Sequence, residues 1–456
     1  MSAQALKLDI GGLTAAYARG VHEPVAVLQA LLAEVHADTR GLNAFCHLDG
    51  EGALAQAQAS AARWQAGRAL GPLDGVPVSI KDLLPVAGWP TRRGSLSTAG
   101  DPPAAQDAPL VAHLRAAGAV LFGKTTTTEF GWTIASHNPH AGTTRNPRDA
   151  ARSAGGSSSG AAAQIAAGWG PLAVGSDAGG SVRIPAAWCG VVGFKPTFGA
   201  IPAAPQSAFA EFAHFGPLTR SVADCARAMA VLGQPDPRDP ASLYPRMPAQ
   251  RPAQLRIGWS LALGAPTVLD PTIAQAMQAL LERLAAAGHQ LVALPALGLD
   301  ADQAMWTVWQ SRVHESFVDW SDAQRATLDP ALQRLWEQGA DLSPTRLARA
   351  RAQLRGLAGA LSQQFAGIDV LLTPTAPTVA PPLPNVQEAP DTQPRNWFAG
   401  NGYCYPFNLT QQPALSLPLG RDAQGLPFGL QVVGRRYADE LVLHAGRLVE
   451  GMLAAG

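Results

Sequence analysis

Gly155-Gly-Ser-Ser-Ser-Gly160 and, a little further on, Gly175-Ser-Asp-Ala-Gly-Gly-Ser-Val-Arg-Ile-Pro-Ala186 are two Gly/Ser clusters on either side of an apolar segment. Between them, Ala161 to Ala167 reads as a small-residue helix and Pro171 to Gly175 as a short buried strand. The second Gly/Ser cluster therefore follows a strand end, where open α/β sheets usually place their sites. Upstream, Val76, Val78 and Ile80 alternate with Pro77, Ser79 and Lys81, the period-two signature of a strand. Lys81 is then expected to point away from the face that carries the three aliphatic side chains. Leu110 to Ala117 reads as a helix ended by Gly118, and Ala119 to Phe122 as a strand, an alternation typical of α/β folds.

Outward from this centre, Leu13 to Val35 and Ala53 to Gln65 carry apolar residues at helical spacing, so the first sixty-odd residues look helical. A Gly/Ser/Thr/Asn/Pro loop is expected from about 136 to 159, with no strand from Arg145 to Ala154. The six prolines between Gln234 and Pro252 mark the best candidate linker. Asp270 to Ala287 reads as a helix with Asp270 as N-cap and Pro271 in its first turn. Asp302 to Trp320 and Pro344 to Phe365 are expected helices, and Val370 to Thr373 and Ala414 to Leu417 expected strands.

Composition narrows the class. The chain has 456 residues, against roughly 100 to 200 for a usual domain, so a large core is expected. Charged residues are 15% and hydrophobic ones 47%, which suits a big interior and excludes disorder as the main state. Equal numbers of basic and acidic residues, 34 each, leave no global field to gather nucleic acid or an anionic membrane. Cys46, Cys189, Cys225 and Cys404 show no Cys-x-x-Cys spacing, which implies neither a zinc site nor a disulfide framework and fits a reducing cytoplasm. The N-terminus shows no apolar run of a secretory signal. The uncharged stretch Ser153 to Ser176 is too poor in large apolar residues to read as a membrane span. A homodimer is left open.

The cluster Gly155 to Gly160 admits three readings. As a phosphate loop it has the two glycines, but Ala161 and Ala162 stand where Lys and Ser/Thr would bind phosphate and magnesium. As a nucleophile elbow, Gly156-x-Ser158-x-Gly160 fits, yet a strand must enter it. The third reading joins Ser157 to Ser181 and to Lys81. A hydroxyl is a weak nucleophile, and a neutral lysine can serve as its base, directly or through a second hydroxyl. For that, the lysine pKa has to fall by roughly two to three from its usual value near 10.4, and desolvation can do this. Ala178-Gly179-Gly180 offers backbone N–H groups with little steric cover, as an oxyanion hole requires.

These runs, with Gly193-Phe-Lys-Pro196, Gly75-Val-Pro-Val-Ser-Ile-Lys-Asp82, Leu372-Thr-Pro-Thr375 and Gly425-Leu-Pro-Phe-Gly-Leu-Gln-Val-Val-Gly434, resemble the amidase signature family of Ser-cis-Ser-Lys amide hydrolases. The resemblance covers essentially the whole chain. It implies one large α/β domain over 1–456, a mixed twisted β-sheet flanked by α-helices. Within it lie a helical part to about 65, a signature core of about 66–233, the Pro-rich crossing at 234–252 and a C-terminal part at 253–456. It further implies Ser181 as nucleophile, Ser157 as relay after a cis peptide, and Lys81 as base. Ala178, Gly179 and Gly180, with the Ser181 N–H, would form the oxyanion hole. The expected activity is hydrolysis of a small carboxylic amide, and in principle of an ester, anilide or carbamate, through an acyl-enzyme without metal or cofactor.

Other readings stand beside this one. Arg183 suits either a substrate carboxylate or an ion pair with Asp177, and Trp306 and Trp309 read better as core than as pocket. Segments near 131–136, 306–312 and 397–405 are expected to line the pocket, and their aromatics and few charges favour an uncharged or aromatic amide. The resemblance also covers the amidase subunit of a glutamine-dependent aminoacyl-tRNA amidotransferase. Against that reading, the family's acidic glutamine-binding position is Asn401 here. A noncatalytic Gly-rich binding module is the alternative of another class, and intact Lys81, Ser157 and Ser181 argue against it.

Overall fold

The computed structural model describes residues 5–244, 251–263, 268–294, 301–383 and 400–455. Its scaffold is an 11-stranded mixed sheet. In chain order the strands are β1 (Phe45–Leu48), β2 (Pro77–Lys81), β3 (Val120–Thr125), β4 (Leu172–Asp177), β5 (Val192–Lys195) and β6 (His214–Thr219). They continue with β7 (Arg256–Trp259), β8 (Gln290–Ala293), β9 (Val370–Pro374), β10 (Ala414–Arg421) and β11 (Pro427–Gly434). Across the sheet the order is β1-β3-β2-β4-β6-β5-β10-β11-β9-β7-β8. The β2–β3, β2–β4, β9–β7 and β7–β8 pairs are parallel, and antiparallel pairs join the two parallel groups through the centre.

Period-two alternation places side chains on both faces of this sheet. Val78, Ile80, Leu172, Val174, Val370 and Leu372 share one core with the helices Val222–Leu232, Pro271–Ala286 and Asp439–Ala454. On the opposite face Ala173 and Leu218 pack with the helices Ser159–Ala167 and Arg183–Cys189, and Leu371 and Val433 pack with Phe365 and Phe407. Burial on both faces explains why β2 is inaccessible along its whole length. Among the described residues no helix is long and apolar enough to cross a membrane.

The α/β class and most elements follow the sequence reading, with three corrections. The expected helix Leu13 to Val35 is two, Ile10–Ala18 and Pro24–His36, because Gly20 turns left-handed (φ +66°) and Pro24 restarts the chain at a first turn. The N-terminal part is not all helix, since β1 interrupts it and caps the sheet edge against β3. The segment expected as loop holds two short ribbons, His137–Asn138 with Gly142–Thr143 and Arg145–Asn146 with Asp149–Ser153. Asp270 caps its helix as expected, accepting from Thr272 N at 2.8 Å. In the Pro-rich crossing, Pro245 and Pro248 lie outside the described residues.

Two glycines test this packing in opposite directions. A Cβ on Gly216 in β6 would run into the Phe194 carbonyl of β5, whereas one on exposed Gly356, inside the helix Pro344–Gln364, meets nothing. Gly216→Ala is expected to lower stability by about 2–3 kcal/mol. Gly356→Ala should raise it by about 1 kcal/mol. Thermal unfolding of the two variants checks both signs.

Candidate active site

The site is built where β2 and β4 end side by side. Lys81 closes β2 and is fully buried. Its Nζ lies 2.7 Å from Ser157 Oγ, 3.0 Å from Ser158 Oγ and 2.9 Å from Ser176 Oγ, with the Ser176 carbonyl at 3.4 Å. Burial pushes its pKa well below the ordinary lysine value, and the Asp177 carboxylate only partly opposes this. The structure thus brings Lys81 and Ser157 together, and the Gly156–Ser157 peptide is cis.

Ser158 and Ser176 are the two contacts of Lys81 that the sequence reading missed. Ser158 Oγ donates to the Ser176 carbonyl at 3.1 Å and accepts from Ser176 N at 3.2 Å, so this hydroxyl is a wholly buried strut. That removes it as an elbow nucleophile, even though a strand, Asp149–Ser153, does precede it. Ser181 stands in the turn before the helix Arg183–Cys189 and is 6% exposed. Its carbonyl accepts from Ser158 N at 3.1 Å, which ties the two Gly/Ser clusters together.

Asp177, the last residue of β4, shapes that turn. Its carboxylate accepts from Gly180 N at 2.7 Å, Val182 N at 3.1 Å and Asn408 Nδ2 at 2.9 Å. Arg183 adds a two-pronged contact, Nε at 2.9 Å and Nη2 at 2.8 Å. Burial acting alone would raise the Asp177 pKa, but the Arg183 charge and these hydrogen bonds hold it well below the usual carboxylate range. Gly180 therefore departs from the expected oxyanion role, because its N–H is already spent on Asp177. Among the described residues no protein acceptor bonds the N–H of Ala178, Gly179 or Ser181. Gly180 also has φ +120°, and a Cβ there would meet Cys404 Cβ and Ile184 Cδ1 at 2.7 Å.

Arg183 is resolved as structural. Besides Asp177, Nη1 reaches the Cys404 carbonyl at 2.9 Å and Gln431 Oε1 at 2.7 Å, and Nη2 reaches Asn408 Oδ1 at 2.6 Å. All five donors of a guanidinium are thereby used, and none is left for a substrate carboxylate.

Trp306 and Trp309 are core, as expected. With Trp132, Phe209 and Tyr405 they form an apolar cluster that includes Ala178 of the turn, and Phe209 stacks on Trp309 at 3.9 Å. Asn401 is 1% exposed, its Nδ2 lies 3.3 Å from where a Cβ on Gly179 would be, and among the described residues neither of its amide atoms has a partner. Trp397 and Phe398 of the expected pocket segment lie outside the described residues. All four cysteines are free, and among the described residues no group of His, Cys, Asp or Glu side chains is placed to hold a metal ion.

The family profile described as Amidase matches residues 26–443. The chain belongs to the amidase signature family. Its members are amide hydrolases, and so is this enzyme. This amidase is 35% identical to an acylamidase of Rhodococcus erythropolis over 94% of its length and 92% of that protein. It is 34% identical to a glutamyl-tRNA(Gln) amidotransferase subunit from Chloroflexus aurantiacus over 96% of its length and 95% of that protein. Among solved structures, a bacterial aryl acylamidase of the same family is similar with a TM-score of 0.87 and 27% identity, covering 97% of this chain and 96% of the other.

The amidase offers a direct test of the Arg183 contacts. Arg183→Met leaves Asp177 buried without its counter-charge and should cost roughly 3–5 kcal/mol of stability. Thermal unfolding is expected to show that loss. A variant of normal stability whose only defect is a raised KM would instead make Arg183 a substrate anchor.

Proposed function

We propose that this amidase hydrolyses a small aryl or alkyl amide through an acyl-enzyme on Ser181. The observation that carries the reading is Lys81, buried and 2.7 Å from Ser157, beside a turn that leaves backbone N–H groups free next to Ser181. Neutral Lys81 takes the Ser157 proton as Ser157 takes that of Ser181, and Ser181 Oγ attacks the carbonyl carbon. The tetrahedral oxyanion is met by the N–H groups of Ala178, Gly179 and Ser181, with Gly180 N–H holding the turn to Asp177. Collapse breaks the C–N bond, and Ser157 returns a proton to the leaving nitrogen. Water, activated by the same Ser157–Lys81 pair, then releases the acid and regenerates Ser181.

The similarity to an acylamidase and to a solved aryl acylamidase supports an amide of this kind. The equal similarity to an amidotransferase subunit keeps glutamine in view. Asn401 favours the first substrate class. A carboxylate could pair with the α-ammonium of glutamine in a buried pocket, whereas a neutral carboxamide meets that cation's burial cost with hydrogen bonds alone. The amidase alone is therefore expected to cleave acetanilide-type amides in preference to glutamine, with no gain from tRNA or partner subunits. Inertness on all such amides, together with glutaminase activity gained on mixing with amidotransferase partners, would replace this reading.

The roles of Ser181 and Lys81 lead to three further outcomes. A fluorophosphonate should label Ser181 and not Ser158, as peptide mapping by mass spectrometry would read. Lys81→Ala should lose at least about a hundredfold in kcat, the usual scale of a general base. Because the neutral amine is the active form, the wild-type rate should rise with pH through the lowered Lys81 pKa and then level off. A folded Lys81→Ala protein with a near-normal rate would remove Lys81 from the mechanism.

A further inference from the structure

A cavity of about 360 Å³ adjoins the Lys81–Ser157 contact. Ser176, whose hydroxyl touches Lys81 Nζ, lines it, and so does Leu83. A Cβ on Gly131 would lie 2.9 Å from Leu83 Cδ1 and 3.2 Å from Ser157 Oγ, so this wall is one residue away from the relay hydroxyl. The rest of the lining mixes four aromatic rings with small and polar residues, Gln206, Ser207 and Ser316 among them. Phe130, Phe317 and Trp320 meet edge to face, with ring centroids 4.7 to 5.6 Å apart, and Phe215 also lines the cavity. Arg93 is the one ionisable side chain among the described lining residues.

Arg93 is held there at a cost. It has φ +52° and Phe130 has φ +48°, a region that non-glycine residues seldom enter, and Phe130 N donates to the Arg93 carbonyl at 2.8 Å. Strained residues of this kind persist where the surrounding structure enforces them, and they cluster at ligand sites. The two neighbouring arginines are used differently. Arg92 spends Nη1 on the carbonyls of Thr98 and Asp101 at 2.8 and 2.7 Å. Among the described residues the Arg93 guanidinium meets only the half-exposed Asp101 carboxylate, at 3.9 Å, beyond hydrogen-bond length. A cation with spare donors, in the lining of a cavity that also carries four aromatic rings, suits a flat anionic group, since a guanidinium binds a carboxylate through parallel hydrogen bonds.

We propose that this cavity takes the amine side of the substrate, and that this amine is an aromatic ring bearing a carboxylate that pairs with Arg93. The assignment rests on the reading above, in which Ser157 protonates the leaving nitrogen, so the cavity walled against Ser157 faces the leaving group. The acyl carbon–nitrogen bond breaks, its electron pair stays on nitrogen, Ser157 supplies the proton, and an aminobenzoate-type product departs while the acyl group remains on Ser181. This keeps the aromatic part of the expected uncharged or aromatic amide and adds a carboxylate through Arg93, which lies outside the segments on which that expectation was based.

The test compares 3- and 4-acetamidobenzoate with the neutral, similarly shaped 3- and 4-acetamidoacetophenone, reading release of the aromatic amine by chromatography. For the better isomer, Arg93→Gln should lower the carboxylate-to-ketone ratio of kcat/KM by about tenfold, the scale of one hydrogen bond to a charged group, and mainly through KM. Arg93→Lys should keep part of the preference. Lys7→Gln, the same change of net charge at an exposed position, should not move the ratio. A ratio unchanged in Arg93→Gln for both isomers overturns the inference. Failure to cleave any of the four compounds while a fluorophosphonate still labels Ser181 also overturns it and leaves the acyl-enzyme reading standing. Absence of Ser181 labelling overturns both.

Discussion

The buried pair of Asp177 and Arg183 is the interaction on which the site depends. Neither side chain reaches water, and removing two ions from water costs roughly several kcal/mol each before their attraction is counted. Such a pair is a poor source of net stability. Here it serves as a template, because one carboxylate fixes three backbone N–H groups of the 180–183 turn and one guanidinium ties that turn to Cys404, Asn408 and Gln431. Strand β4, the helix Arg183–Cys189, the 404–408 segment and β11 thus converge on a single pair of charges.

The same pair settles the state of Lys81. Three lysines are fully buried, and each meets a different environment. Lys124 lies 2.7 Å from the Asp82 carboxylate, which opposes the loss of its proton on burial. Lys195 contacts the Gln412 and Pro196 carbonyls. Lys81 is surrounded by three hydroxyls and one carbonyl, and the carboxylate that opposes the loss of its proton, Asp177, is already paired with Arg183. An ammonium there would have no counter-ion of its own, so desolvation prevails and the amine is favoured. The base proposed for Ser157 thus rests on pairing Asp177 elsewhere.

Much of this was legible from residue type and spacing. Alternation in Val76 to Lys81 placed the lysine on a strand, the Gly/Ser runs placed Ser157 and Ser181 in Gly-rich turns, and the resemblance to the amidase signature family joined the three. The structure brings Lys81 to Ser157 and bonds the two runs to each other. Arg183 could not be settled from sequence, because Cys404, Asn408 and Gln431, which occupy its donors, lie more than two hundred positions away. Gly180 looked like a free donor, since glycine reports steric room and says nothing of which acceptor takes its N–H. β1 escaped notice because four half-buried residues carry too little periodicity, and the Gly20–Pro24 break was hidden by apolar residues continuing on both sides. The Arg93 cavity is assembled from segments distant in sequence, loops together with β4, β6 and the helix Asp302–Phe317, and left-handed backbone at Arg93 and Phe130 leaves no compositional trace.

The central claim is that Lys81 is a neutral amine at physiological pH, and the composition makes it directly measurable. The chain has only four lysines, Lys7, Lys81, Lys124 and Lys195. Protein labelled with 13C at lysine Cε should give a correspondingly simple NMR spectrum, with the Lys81 signal identified by its loss in Lys81→Met. This signal is expected to titrate with a midpoint well below the ordinary lysine value and to stand at the neutral-amine position at pH 8. A Lys81 signal that keeps its ammonium position up to pH 10 would contradict the claim.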